Sequence, residues 1–270
     1  VSRIVNDRQD ENMRKNTLKQ KLREGKCVFG SMITFPSAPI VEMLGYLGFD
    51  WVLIDNEHGS VTVDAAEPMI AAAELTGVAP IVRPIANRMD SITPFLDRGA
   101  WGVQVPHVNT AEEAQAAVAA CRYHPLGQRG LFSGGRPAFY GMGGMTTQQY
   151  VDKANEEVLV CLMLEEVEAI RNIEEIVKVK GIDVLFIGSG DLSASMGLAG
   201  QQTHPEVLKL VEDGVKRIRA AGIIPGCSMP DSHVTKFIDL GARYFHNTIG
   251  RMMQTGADAY LKTMRKAAGQ

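Results

Sequence analysis

No apolar run in these 270 residues approaches the ~20 needed to cross a bilayer, so nothing in the sequence reads as a membrane span. Basic charge is not in excess either. A net charge of −3 and a pI near 6.1 give no general pull toward nucleic acid or an anionic membrane. The cysteines are few (Cys27, Cys121, Cys161 and Cys227) and lack the paired spacing of a metal finger. Cys161 lies inside an apolar run, so reduced, mostly buried thiols in a cytoplasmic protein are expected. The opening residues, Val1 to Asn12, lack the apolar core of a signal peptide. Residues 1–16 are therefore expected to form a polar extension ahead of a single domain over 17–270. A glycine-rich turn after the first strand, which a dinucleotide-binding open sheet needs, is missing as well. Thr34-Phe-Pro-Ser-Ala-Pro39 stands there instead.

What is present is alternation. Strand-like runs at 28–33, 51–55, 80–83, 102–105, 158–164, 184–187, 223–226 and 244–247 are separated by helical patterns. The helices are expected at 16–24, 38–47, 63–76, 91–98, 111–121, 167–177, 205–220, 232–240 and 252–267. Thr110 with Glu113 makes a capping box ahead of the fifth of them. Eight strands with helices between them in this length point to an α/β fold of the (β/α)8 TIM-barrel type. One segment breaks the short-loop pattern: between Arg122 and Asn155 the chain is long and rich in glycine. Such segments are often functional. With Arg129, Arg136, Phe132, Phe139 and Tyr140, it is expected to reach over one end of the barrel and read a substrate carboxylate, in its own or a neighbouring subunit; packing an oligomer interface is the alternative.

If the runs are barrel strands, their C-terminal ends share one face. Glu165 and Asp191 stand just past the fifth and sixth strands and would converge there as oxygen ligands for a divalent cation. Their plainer reading is as loop acids or helix caps. Arg83 ends the third strand, where a cation suits an oxyanion formed on enolising a keto acid; a salt bridge to a neighbouring strand-end acid is the alternative. Asp55 and His58 close the second strand as a pair in which the carboxylate orients a basic imidazole, against the plainer reading of a rim histidine. His107 after the fourth strand is a second-tier candidate, and His246 is the best placed of the remaining histidines. Gly188-Ser189-Gly190 offers backbone N–H groups to an anionic carboxylate. Lysine is absent from all eight strand ends, which argues against Schiff-base chemistry on that face and for a metal-assisted route.

Together these residues resemble the HpcH/HpaI aldolase family, the metal-dependent pyruvate aldolases of the phosphoenolpyruvate/pyruvate barrel superfamily. The most specific pieces are Gly48-Phe-Asp-Trp-Val-Leu-Ile-Asp-Asn-Glu-His-Gly59, Val82-Arg-Pro84, Val105-Pro-His-Val-Asn-Thr-Ala-Glu-Glu113, Arg122-Tyr-His-Pro-Leu-Gly-Gln-Arg-Gly130 and Phe186-Ile-Gly-Ser-Gly-Asp-Leu-Ser-Ala-Ser-Met-Gly197. The resemblance implies a barrel whose last helix exchanges between subunits, in a hexamer built as a trimer of dimers. It places metal ligands at Glu165 and Asp191, the enolate-stabilising arginine at Arg83 and an Asp–His pair at Asp55 and His58. The turn that holds the pyruvate carboxylate falls on Gly188–Asp191, with Ser189 and Gly190 where the family has Pro and Ala. Met163 stands where some members carry glutamine. The implied reaction is cleavage or formation of 4-hydroxy-2-keto acids, giving pyruvate plus an aldehyde, with Mg²⁺, Mn²⁺ or Co²⁺. A citramalyl-type acyl-CoA lyase and a non-catalytic keto-acid-binding barrel are the alternatives.

Overall fold

A computed structural model describes residues 15–270. Residues 1–14 of the expected extension lie outside the described residues. Asn16, assigned to that extension, is part of the folded domain. It is buried, and its Oδ1 caps helix α1 (Thr17–Arg23) by accepting the Lys19 N–H at 3.1 Å. Its amide nitrogen donates to the carbonyls of Trp101 and Glu157, both at 2.9 Å.

The eight strands lie where the apolar runs place them, to within a residue at each end. They are β1 (Val28–Ile33), β2 (Trp51–Asp55), β3 (Ala79–Arg83), β4 (Gly102–Val105), β5 (Leu159–Leu164), β6 (Val184–Ile187), β7 (Ile224–Cys227) and β8 (Tyr244–Thr248). All pair in parallel and in sequence order, and β8 closes onto β1. Alternate residues fill the interior: Val28, Trp51, Leu53, Ile81, Leu159, Phe186 and Tyr244 pack in one cluster, with Leu18 and Leu22 of α1 sealing its lower end. Trp51 stacks on Tyr244 with ring centroids 4.0 Å apart, a contact worth about 1 kcal/mol beyond its burial. The opposite faces of the strands pack on the surrounding helices, as Val103, Val105, Leu162 and Leu185 do.

Those helices are α2 (Ala38–Tyr46), α3 (Val63–Thr76), α4 (Met89–Asp97), α5 (Ala111–Cys121), α6 (Thr147–Glu157), α7 (Val167–Arg171), α8 (Ile173–Ile176), α9 (Ser189–Ser195), α10 (Pro205–Ala220), α11 (Asp231–Leu240) and α12 (Ile249–Ala267). Two of them are absent from the sequence reading. Helix α6 lies inside the supposed long loop and begins with a capping box of Thr146 and Gln149. Helix α9 follows the Gly188 turn directly. Among the described residues no helix is long and apolar enough to cross a membrane.

The long segment is a correction. It leaves the C-terminal end of α5, and a helix that follows a barrel strand returns to the strand's N-terminal side. The segment therefore lies at the end opposite the mouth, built on a small cluster of Tyr123, Ala138, Tyr150, Val151 and Ala154. Arg129 pairs with Asp97 at the end of α4 at 2.7 Å and covers the Tyr123 ring at 4.6 Å. Arg136 pairs with Glu74 near the end of α3. Both guanidinium groups are committed to helix C-termini of their own chain, where positive charge is favoured. Neither reaches the mouth of its own barrel, so the expectation that they read a substrate there is withdrawn.

Candidate active site

The C-terminal ends of the strands gather an excess of carboxylates around one arginine. Asp55 and Arg83 are register partners at the ends of β2 and β3. Their side chains meet in a two-pronged ion pair: Nε to Oδ1 and Nη2 to Oδ2, each at 2.8 Å. Both are almost wholly buried. Nη2 also meets the Met32 sulfur at 3.5 Å, and Nε lies 3.1 Å from Glu57 Oε2. Among the described residues Nη1 has no hydrogen-bond partner. Burial works against the guanidinium charge, but the hydrogen bonds and charge of Asp55, helped by Glu57 and Glu165, outweigh it and hold Arg83 further toward its charged form.

This pairing changes the role expected of Asp55. Its carboxylate does not meet the His58 ring. Oδ1 instead accepts the backbone N–H groups of Glu57 (3.2 Å) and, weakly, His58 (3.5 Å), which folds the turn after β2. Gly59 completes that turn where a Cβ would lie 2.2 Å from the Asp55 carbonyl and 2.6 Å from that of Thr34. The His58 ring is largely exposed, and its nearest carboxylate is Glu57, 3.7 Å from Nε2.

Glu165, just past β5, is 1% exposed. Its Oε1 accepts the backbone N–H of His107 at 2.8 Å. His107 makes that bond from a left-handed backbone, φ 53°, an uncommon state for a residue with a side chain. The imidazole of His107 sits among three carboxylates: Glu57 (3.2 Å), Glu166 (3.2 Å) and Glu165 (3.5 Å). Burial, with the charges of Asp191 and Glu57, pushes the Glu165 carboxyl up to about 7 against the opposing pull of His107. Asp191 is exposed on the first turn of α9.

Among the described residues no three His, Cys, Asp or Glu side chains form a ready-made metal cage. The mouth offers instead one buried and one exposed carboxylate, the donor chemistry of a hard divalent cation that keeps positions for other oxygens. The space fits as well. Gly188 adjoins Glu165 where a Cβ would come within 3.0 Å of its Cβ and 3.1 Å of Oε2. A buried carboxylate held toward its neutral form is what an added cation would reverse. Ser189 is buried and committed, its Oγ donating to the Ser228 carbonyl at 2.5 Å. Met163 is buried beside Gly188 and brings no polar atom. His246 turns its ring into the barrel, stacked on Phe186 with centroids 4.9 Å apart, and burial of the ring, followed by the charge of Arg83, lowers its pKa to about 3.

Glu57 is the residue that sequence reasoning missed, and the quoted Asp-Asn-Glu-His stretch was its only signal. Lys19 is the one lysine with a clearly lowered pKa, chiefly through burial. It lies at the closed end of the barrel, donating to the Val158 carbonyl at 3.0 Å and paired with Asp183 at 2.9 Å.

Comparison with known proteins gives the family and the fold. Residues 33–253 match the family model described as HpcH/HpaI aldolase/citrate lyase. A protein of Rhizobium etli named pyruvate aldolase is 38% identical over 85% of this chain and 89% of its own. A Klebsiella pneumoniae protein named 4-hydroxy-2-oxo-heptane-1,7-dioate aldolase is 37% identical over 85% of this chain and 86% of its own. A solved HpcH/HpaI aldolase/citrate lyase family protein from Burkholderia cenocepacia superposes with a TM-score of 0.85 at 26% identity, covering 93% of this chain and all of its own.

Proposed function

The chain belongs to the HpcH/HpaI aldolase/citrate lyase family, and from that premise we propose that it is a class II aldolase. It cleaves or forms 4-hydroxy-2-keto acids, giving pyruvate and an aldehyde. The observation that carries this reading is the meeting, at one mouth, of a buried carboxylate with a neighbour acid and an arginine with one free nitrogen. Glu165 and Asp191 would hold the divalent cation, Mg²⁺, Mn²⁺ or Co²⁺. When bound, the cation supplies Lewis acidity toward the keto acid's oxygens.

The side chains do the rest. The Gly188–Gly190 turn takes the substrate carboxylate through backbone N–H groups. His58, at the open rim, accepts the proton of the C4 hydroxyl, directly or through water. The C3–C4 bond breaks, its electrons form the enolate of pyruvate, and the aldehyde leaves. Arg83 Nη1 faces the oxygen on which charge develops, and protonation at C3 completes pyruvate. Asp55 acts through Arg83 and through the fold of its turn. A panel of 4-hydroxy-2-keto acids, assayed with each metal for pyruvate release, tests the reading. Chelation should stop release, and borohydride with pyruvate should leave the protein's mass unchanged, because no strand carries a lysine. Full activity in chelator, or a pyruvyl-lysine adduct, would overturn it.

The same reading includes exchange of the last helix within a hexamer, a trimer of dimers. Helix α12 leaves the barrel, and beyond Ile249 all but Met252 of its residues are exposed. Met253, Tyr260, Leu261 and Met264 stand at helical spacing on one apolar stripe. Where a barrel's eighth helix would pack, Phe29, Phe49, Val234, Phe245 and Met252 line a groove of about 220 Å³. Leu261→Asp combined with Met264→Asp should yield a smaller particle by light scattering. An unchanged mass would free α12 from the interface. The cytoplasmic assignment rests on four cysteines that are all free thiols.

A further inference from the structure

Beneath the Asp55–Arg83 pair the barrel interior turns polar, and none of that polarity has a role above. Val103 and Val105 face the helices, so Gln104 between them faces the interior, where it is 0% exposed. Phe245 likewise faces the helices, and His246 turns inward. Val82 pairs with Val103, which sets Gln104 beside Arg83 on the neighbouring strand. Alternate strands of a barrel share an interior layer. By register, β2, β4, β6 and β8 place Leu53, Gln104, Phe186 and His246 in the layer directly below Arg83. The stacking of His246 on Phe186 agrees with that, as does the edge-on contact of its ring with Trp51 at 5.6 Å.

Both amide atoms of Gln104 and both ring nitrogens of His246 are buried, and among the described residues none of the four has a hydrogen-bond partner. Leaving such atoms unpaired is costly. Burial, then the charge of Arg83, keeps the His246 ring neutral, so it offers one donor and one acceptor. The Gln104 amide offers both as well. Strands β4 and β8 stand opposite each other in the closed barrel. The ligand that matches two donor–acceptor pairs across so narrow an interior is a water molecule. Arg83 adds a third partner. Its Nε and Nη2 hold Asp55 on β2, and a planar guanidinium gripping a carboxylate that way turns Nη1 to the opposite side. Strand β4, with Gln104, flanks β3 on the side away from β2.

We propose that Gln104 and His246 are positioning residues that hold an ordered water beneath Arg83. The water accepts one N–H of Nη1, and the other N–H then faces the oxygen of the developing enolate. This rests on the aldolase reading. A guanidinium whose Nη1 is fixed needs no reorientation as charge develops, which is how preorganised donors stabilise an oxyanion.

The test uses Gln104→Met, of nearly the same shape but without the hydrogen bonds, and His246→Leu, both in the metal-loaded enzyme. Each is expected to slow exchange of pyruvate methyl protons in D₂O about tenfold, the scale of one hydrogen bond to a charged group. Mn²⁺ affinity should stay within about twofold, because Glu165 and Asp191 are untouched. Action through Nη1 makes the effects non-additive, whereas a purely structural role does not. In an Arg83→Lys background, which has no Nη1, Gln104→Met should therefore slow exchange little further. A crystal structure of the wild type should show the water within hydrogen-bonding distance of Gln104, His246 and Nη1, and one of Gln104→Met should show it gone. Wild-type exchange in Gln104→Met, or the same loss in both backgrounds, would overturn the proposal. So would a direct hydrogen bond from Gln104 to His246 with no water between them. Should either variant fold poorly, the wild-type crystal structure still decides. If the wild type exchanges no pyruvate protons, the aldolase reading fails, while the crystal structure still decides whether Gln104 and His246 hold the water.

Discussion

Glu165→Gln is expected to reduce pyruvate release by roughly a thousandfold and to weaken divalent-metal binding, with the barrel intact. The size follows from removing a charged ligand where several kcal/mol of charge stabilisation act, at about 1.4 kcal/mol per tenfold. The same change should have the opposite effect on the metal-free fold. Burial first, then the charges of Asp191 and Glu57, lift the Glu165 carboxyl from an ordinary 4.5 to about 7. A carboxyl whose folded value is raised binds its proton more tightly in the fold than in the unfolded chain. Its contribution is complete below pH 4.5 and is lost as pH rises through about 7. The loss is on the order of 3 kcal/mol. Chelated wild type should therefore melt at a lower temperature at pH 8 than at pH 5. Glu165→Gln, which cannot ionise, should flatten that slope and melt higher than chelated wild type at pH 8. A flat wild-type profile, or full activity in Glu165→Gln, would remove Glu165 from the metal site. Asp191→Asn should share the loss of activity and weaken the slope without flattening it, because it removes one of the charges that lift Glu165 while leaving its burial intact.

What the sequence made legible was the part governed by periodicity. Interior strands buried on both faces read as near-continuous apolar runs, so β2, β5 and β6 were visible, and their terminal acids with them. Asp55 and Arg83 were each visible as strand ends. Their pairing was read only as the alternative for Arg83, a salt bridge to a neighbouring strand-end acid, and it follows because adjacent parallel strands of like length bring their last inward residues to one level. Topology was readable but unused for Arg129 and Arg136: a segment after a helix belongs to the closed end of the barrel. Helix α6 carried its signal in Thr146-Thr-Gln-Gln149, a capping box hidden beside the glycines. Other features had no such signal. The left-handed backbone of His107 and the inward turn of Glu57 depend on how four separate loops meet, and no local pattern encodes that.

Arg83→Ala should slow exchange of pyruvate methyl protons in D₂O by about a hundredfold or more, the scale of losing one preorganised oxyanion contact. It should also cost stability. Asp55 is 0% exposed, and without the guanidinium its carboxylate is left in the core with only weak backbone partners. Removing one member of a buried pair costs about 3–5 kcal/mol, so a slow alanine variant alone does not separate chemistry from folding. Arg83→Lys does. A lysine keeps the positive charge against Asp55 and much of the stability, but it has no planar fork. It cannot hold both Asp55 oxygens and still present a further nitrogen to the substrate, as Nε, Nη2 and Nη1 do together. The expected pattern is a melting temperature near wild type for Arg83→Lys, a clearly lower one for Arg83→Ala, and slow exchange in both. Wild-type exchange in Arg83→Lys would reduce Arg83 to a counter-ion for Asp55, and the enolate would then have to find its stabilisation elsewhere at the mouth.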